Sequence, residues 1–202
     1  MSAEDSHFVV IPCEPSEFGG FVSGLLGKAQ VMKGAVEGVF DVGFEEIENV
    51  FHLVATRVKD QNEGSLAHFS ITVHYDNGTS ITHHDVSQFR SYNPVESCHP
   101  FEVVLNFTYL ISFPNKSSPE KQEIQVAMVA DSDAARNRRR HYTDGAFEYE
   151  IHYTNRTWAT DIGSLLKNHG ERFIERTAKL KRFFRRYNDI FLSTLSSVVL
   201  IN

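Results

Sequence analysis

Four runs of strict two-residue alternation constrain this chain more than any other feature. Phe69, Ile71, Val73 and Tyr75 alternate with Ser70, Thr72 and His74. Phe101, Val103, Leu105, Phe107, Tyr109, Ile111 and Phe113 share one face, with Glu102, Asn106, Thr108 and Ser112 mostly opposite. Ile124, Val126, Met128 and Ala130 alternate with Glu123, Gln125 and Ala127, and Phe147, Tyr149, Ile151 and Tyr153 with Glu148, Glu150 and His152. Successive strand side chains point to opposite faces, so each run has one dry and one wet side. That pattern belongs to an antiparallel sheet covered on one face; parallel sheets, covered on both, read as continuous apolar runs. The connections agree. Asp76-Asn77-Gly78 turns the chain and Ser80 to His83 returns, Asn-Gly being a hairpin signature because a type I′ turn needs positive φ at both central residues, and Pro114 to Pro119 joins two further strands.

Helical spacing takes over elsewhere. Ile47, Val50, Phe51, Val54 and Val58 predict an amphipathic helix over residues 45–59, with Arg57 and Lys59 in its last turn. Asp85 can cap a short helix reaching Tyr92, which Asn93-Pro94 stops. Thr154 or Asn155 can cap a third, whose Trp158, Ile162, Leu165, Leu166, His169 and Phe173 suit it to cover the aromatic sheet face. Residues 15–45 are rich in glycine, yet contain neither Gly-Lys-Ser/Thr nor a GxGxxG that opens a helix after a strand, so no phosphate-cradling loop is supported. Short turns and a weak helix around Phe18 to Leu26 are expected there. The fold predicted is one α+β domain, a mainly antiparallel sheet of about five strands against two or three helices, followed by a basic C-terminal helix. Its parts are a glycine-rich segment 1–44, a core domain 45–176 and a C-terminal helix 177–202.

Charge is distributed unevenly. The whole chain of 202 residues carries 20 Lys+Arg against 26 Asp+Glu, a net −6 that by itself argues against anionic partners. Resolved along the chain, residues 1–135 hold seven Lys/Arg and nineteen Asp/Glu, whereas residues 136–186 hold thirteen and six. An acidic body of −12 thus precedes a basic stretch of +7, and asymmetry of this kind points to an anionic partner at one end.

The basic stretch has two foci. Arg136, Arg138, Arg139, Arg140 and His141 form the densest cluster, in the connection between two strands. Guanidinium forks suit phosphate, so these residues are candidates for holding a nucleotide or a headgroup. Lys179, Lys181, Arg182, Arg185 and Arg186 interleave with Phe183 and Phe184 before the uncharged run Ile190 to Ile201. A basic cluster leading into an apolar stretch is the pattern of a segment meeting the cytoplasmic side of a bilayer. A spanning helix needs about 20 apolar residues and only about a dozen follow, so an interfacial helix or a longer membrane segment is expected, against the alternatives of an amphipathic helix docked on the domain through Ile190, Phe191, Leu195, Val198 and Val199 or a partner-binding helix. These seven residues, 179 and 181–186, are the predicted membrane contacts.

Other chemistry is weaker. His83 and His84 would point to opposite faces of a strand, and Asp85 is better used as a cap. Asp131, Asp133, Glu148 and Glu150 could serve a metal-dependent phosphodiester-cleaving enzyme, but both pairs also follow from polar outward positions beside inward apolar ones. Cys98-His99 is a poor nucleophile pair because chain neighbours rarely face each other. Two cysteines, Cys13 and Cys98, make no disulfide framework. The N-terminus has no basic region ahead of an apolar core, so export is not expected.

The reading is therefore a non-enzymatic sensing or interaction module, cytoplasmic and held at the inner face of the membrane by its C-terminal end. Such a layout would suit the ligand-sensing part of a bacterial signalling or defence effector. Neither cofactor nor metal is expected. The partners expected are an anionic membrane surface or an anionic ligand such as a nucleotide, with homo-oligomer formation a further option and sequence-specific nucleic acid disfavoured. The alternatives are the phosphodiester-cleaving enzyme and a structural subunit of a larger complex.

Overall fold

The alternating runs pair edge to edge in a single sheet. The computed structural model describes residues 18, 22, 29–38, 42–62, 64–92, 98–114, 116, 118–129 and 145–174. In chain order the elements are β1 (Gln30–Glu37), α1 (Phe44–Asn62), β2 (Ser65–Tyr75), β3 (Ser80–His83), α2 (Val86–Ser91), β4 (Pro100–Ile111), β5 (Glu120–Val129), β6 (Ala146–Tyr153) and α3 (156–174). The six strands lie in the order β1-β6-β5-β4-β2-β3, with every neighbouring pair antiparallel.

Alternation sorts the two faces as expected. Phe69, Ile71 and Val73 of β2, Leu105, Phe107 and Tyr109 of β4, Ile124, Val126 and Met128 of β5, and Phe147 and Ile151 of β6 are buried on one side. Helix α1 lays Ile47, Val50, Val54 and Val58 onto that side, and α3 adds Trp158, Ala159, Ile162 and Leu166. Phe51 of α1 packs on Phe69 and Phe107, which places α1 over the β2–β4 half of the sheet. The other half belongs to α3. A Cβ on Gly163 would lie 3.1 Å from Met32 Sδ, and one on Gly170 would lie 2.8 Å from Phe147 Cδ1, so the helix rests directly on β1 and β6. The Arg57 guanidinium donates to Asp161 at 3.1 Å and ties the two helices together.

Strand β1 corrects the expectation for the glycine-rich segment, and the sheet has six strands where about five were read. Met32, Gly34 and Val36 face the helices but are only half-buried, so the hydrophobic signal is faint. Gly34 stands opposite Tyr149, whose ring occupies the space a Cβ would need. A cross-strand aromatic thus supplies the burial that the glycine lacks. Breaker and strand are the same residue.

Two local expectations are refined. The β2–β3 hairpin turns through Asp76-Asn77-Gly78 as expected, but as a three-residue loop in place of a type I′ turn: Gly78 N–H donates to Tyr75 O and Tyr75 N–H to Thr79 O, both at 3.0 Å. Gly78 takes φ 83°, as the last residue of such a loop must, and Asn77 Oδ1 accepts from Thr79 N–H. At the start of α3, Asn155 is the cap, its Oδ1 accepting from Trp158 N–H at 3.1 Å. Thr154 has another task. Its N–H donates to the fully buried Gln122 Oε1, its Oγ1 accepts from Gln122 Nε2, and its hydroxyl donates to Glu120. This chain of bonds fastens the start of β5 to the β6–α3 junction.

Candidate functional site

The sheet face turned away from α1 and α3 carries a polar arrangement among the described residues. Lys33, Glu150, Gln125, Asn106 and Ser70 form one row across five strands, each opposite the next by register. Lys33 Nζ lies 2.7 Å from Glu150 Oε2, and His152 Nε2 lies 2.9 Å from Glu150 Oε1. Hydrogen bonding from Lys33 first, and the charges of Lys33 and His152 after it, hold the Glu150 carboxyl below the usual carboxylate range. Ala35 and Ala127 flank this row with small side chains and leave a shallow hollow of about 370 Å³, walled by Lys33, Gln125, Glu148 and Glu150.

Glu148 and Glu150 do lie on one face, as alternation requires, but Glu150 is already engaged by the Lys33 ammonium and the His152 ring. Asp131 and Asp133, their proposed companions, lie outside the described residues. Among the described residues no three His, Cys, Asp or Glu side chains gather closely enough to hold a metal ion. Of the four carboxylates, Glu150 is thus spent on Lys33 and His152.

The remaining candidates separate into roles. Asp85 caps α2: its carboxylate accepts from Ser87 Oγ and from Gln88 N–H, and these bonds lower its pKa. His83 is buried against Phe89 and Tyr92 whereas His84 is exposed, so the two do diverge. His99 reaches Asp76 at 3.4 Å, away from any nucleophilic use of Cys98, which is half-buried and free. Arg136, Arg138, Arg139, Arg140 and His141, and Lys179, Lys181, Arg182, Phe183, Phe184, Arg185 and Arg186, lie outside the described residues. The first group belongs to the connection between β5 and β6, and the second follows α3.

Two clefts open on the helical side. One of about 670 Å³ runs between α1 and α3 past Leu53, Leu165, His52 and His169. The other, about 390 Å³, is walled by Phe51, Leu66, Phe69 and Val86, with the Arg90–Glu48 ion pair (2.8 Å) at its rim.

Lys33 was missed by sequence reasoning, because the strand that bears it was missed. The alternation of Val31, Lys33 and Glu37 against Met32 and Val36 was the available signal, diluted by Gly34 and Ala35. Comparison of the chain with protein-family models, curated proteins and solved structures finds no match to any of them.

Proposed function

We propose that this chain is a non-enzymatic interaction module that meets an anionic membrane surface through the segment following α3. The observation that carries the reading is the charge layout: an acidic body of −12 succeeded by a +7 stretch whose last cations interleave with Phe183 and Phe184 and lead into an uncharged run. Each Lys or Arg near an anionic leaflet contributes about 1 kcal/mol, and the aromatic side chains add apolar burial at the headgroup level. Five such cations in eight positions are enough for reversible attachment once apolar insertion is added. Among the described residues no helix is long and apolar enough to cross a membrane. The engagement of Glu150 by Lys33 and His152 favours binding over hydrolysis as the role of the described domain.

Flotation of the full chain with vesicles tests this. It is expected to rise with vesicles of phosphatidylcholine and phosphatidylserine, to remain below with phosphatidylcholine alone, and to be released by salt. A variant carrying Lys179→Glu, Lys181→Glu, Arg182→Glu, Arg185→Glu and Arg186→Glu should stay at the bottom of the gradient. Equal recovery of the two chains would overturn the reading.

A further inference from the structure

Strand β1 has one side paired and one side free, and the hydrogen bonds state which residues face each way. Gly38 N–H donates to Gly145 O at 2.9 Å, continuing the register that sets Glu37 opposite Ala146. In an antiparallel ladder, residues that exchange bonds with the neighbour alternate with residues whose N–H and C=O point the other way. Met32, Gly34 and Val36 therefore bond to β6. The backbone groups of Val31, Lys33, Ala35 and Glu37 point outward, along an edge that no strand covers among the described residues.

The two edges of the sheet are not alike. β3 is four residues long and runs at once into α2, which limits what could pair there. β1 is eight residues long, keeps an unbroken register and contains no proline. Its outward positions carry Val31, one of the few large apolar side chains left exposed, at 46%. Proteins usually blunt such edges with bulges, prolines or several charges. The outward positions here hold only two charges of opposite sign, Glu37 and Lys33, the latter turned towards Glu150.

We propose that this edge pairs with β1 of a second copy of the chain, antiparallel, about a two-fold axis through Ala35. Only registers that match outward-bonding residues with one another can form the ladder. Centring the axis on Lys33 sets lysine against lysine. Centring it on Gly34 sets Lys33 against alanine and Glu37 against valine. Centring it on Ala35 sets Lys33 opposite the partner's Glu37, twice by symmetry, with two alanine methyls at the axis. Opposite charges directly across a ladder favour pairing and like charges oppose it, so the side chains select the third register. Lys33 then lies between Glu150 of its own chain and Glu37 of the partner subunit, with three ammonium hydrogens to share. The result is one continuous sheet of double width, a mode of association independent of the C-terminal attachment.

Sedimentation of the full chain over a range of concentrations tests it. The wild-type chain should reach the mass of two copies. Ala35→Pro removes an N–H that faces the free edge and spares every bond to β6, so it should give a monomer with unchanged circular dichroism. Glu37→Lys alone, and Lys33→Glu alone, should each raise the dissociation constant by about tenfold or more through like-charge contact. Mixing those two variants should restore pairing, because each reversed charge then meets its complement. A wild-type monomer at every concentration, a pair that survives Ala35→Pro and Glu37→Lys, or single variants that fail to complement would each overturn the proposal.

Discussion

His83 shows what a single buried titratable group does to stability. Its ring packs between Phe89 and Tyr92, and its Nε2 has no hydrogen-bond partner among the described residues. Burial, with some repulsion from His84, outweighs the nearby Asp85 and lowers its pKa below the ordinary imidazole value of 6.5. The unfolded chain therefore binds a proton more readily than the folded one. Its contribution is complete above pH 6.5 and is lost as the pH falls towards the lowered native value. Urea denaturation of the full chain should show stability falling through this window, and His83→Phe should flatten that slope while leaving stability near pH 8 little changed. A slope identical in both chains would place the titration elsewhere. Tyr109 is another buried polar group with no hydrogen-bond partner among the described residues, and burial pushes its hydroxyl far up, which keeps it neutral throughout. At this scale the sequence was informative where a side chain acts on its own backbone, as Asp85 does. It was silent where the partner comes from a distant strand, as Lys33 does for Glu150.

At the scale of elements, periodicity was legible wherever the residues facing the core were themselves apolar. The four alternating runs became β2, β4, β5 and β6, and the helical stripes became α1 and α3. β1 was not legible because its burial is borrowed: Tyr149 covers Gly34, and α3 comes close only because Gly163 and Gly170 carry no side chain. Long-range partners leave no trace in local periodicity. The start of α3 is a different case, since both candidate caps were visible and only the structure divides their labour. Asn155 holds the helix terminus while Thr154 holds Gln122. Asn155→Ala should therefore cost about 1 kcal/mol, the usual worth of an N-cap. Thermal or urea melts would read it, and a variant as stable as the wild type would show that Thr154 had taken over the cap.

For the molecule as a whole, net charge conceals more than it states. The acidic body and the basic end occupy different parts of the chain, so repulsion between an anionic leaflet and the body acts together with attraction at the end. Pairing through β1 would bring two basic ends to one surface, and linked weak contacts bind more tightly than the same contacts apart. Ala35→Pro is therefore expected to lower recovery with anionic vesicles at equal chain concentration, although residue 35 is remote in sequence from the segment proposed to bind lipid. Unchanged recovery would separate self-association from attachment.

The strand order also sets a timetable. β1 is made first among the described strands, yet its only neighbour, β6, is made last. On a ribosome, the hairpin of β2 and β3 and the meander of β4 and β5 can assemble as they emerge. β1 must wait until Tyr153 has left the exit tunnel, with its backbone unpaired on both sides. Closing so long a loop is entropically slow, and unpaired strands are where nascent chains go astray. Lys33 and Gly34 separate Val31-Met32 from Ala35-Val36, so the strand presents no unbroken apolar run while it waits.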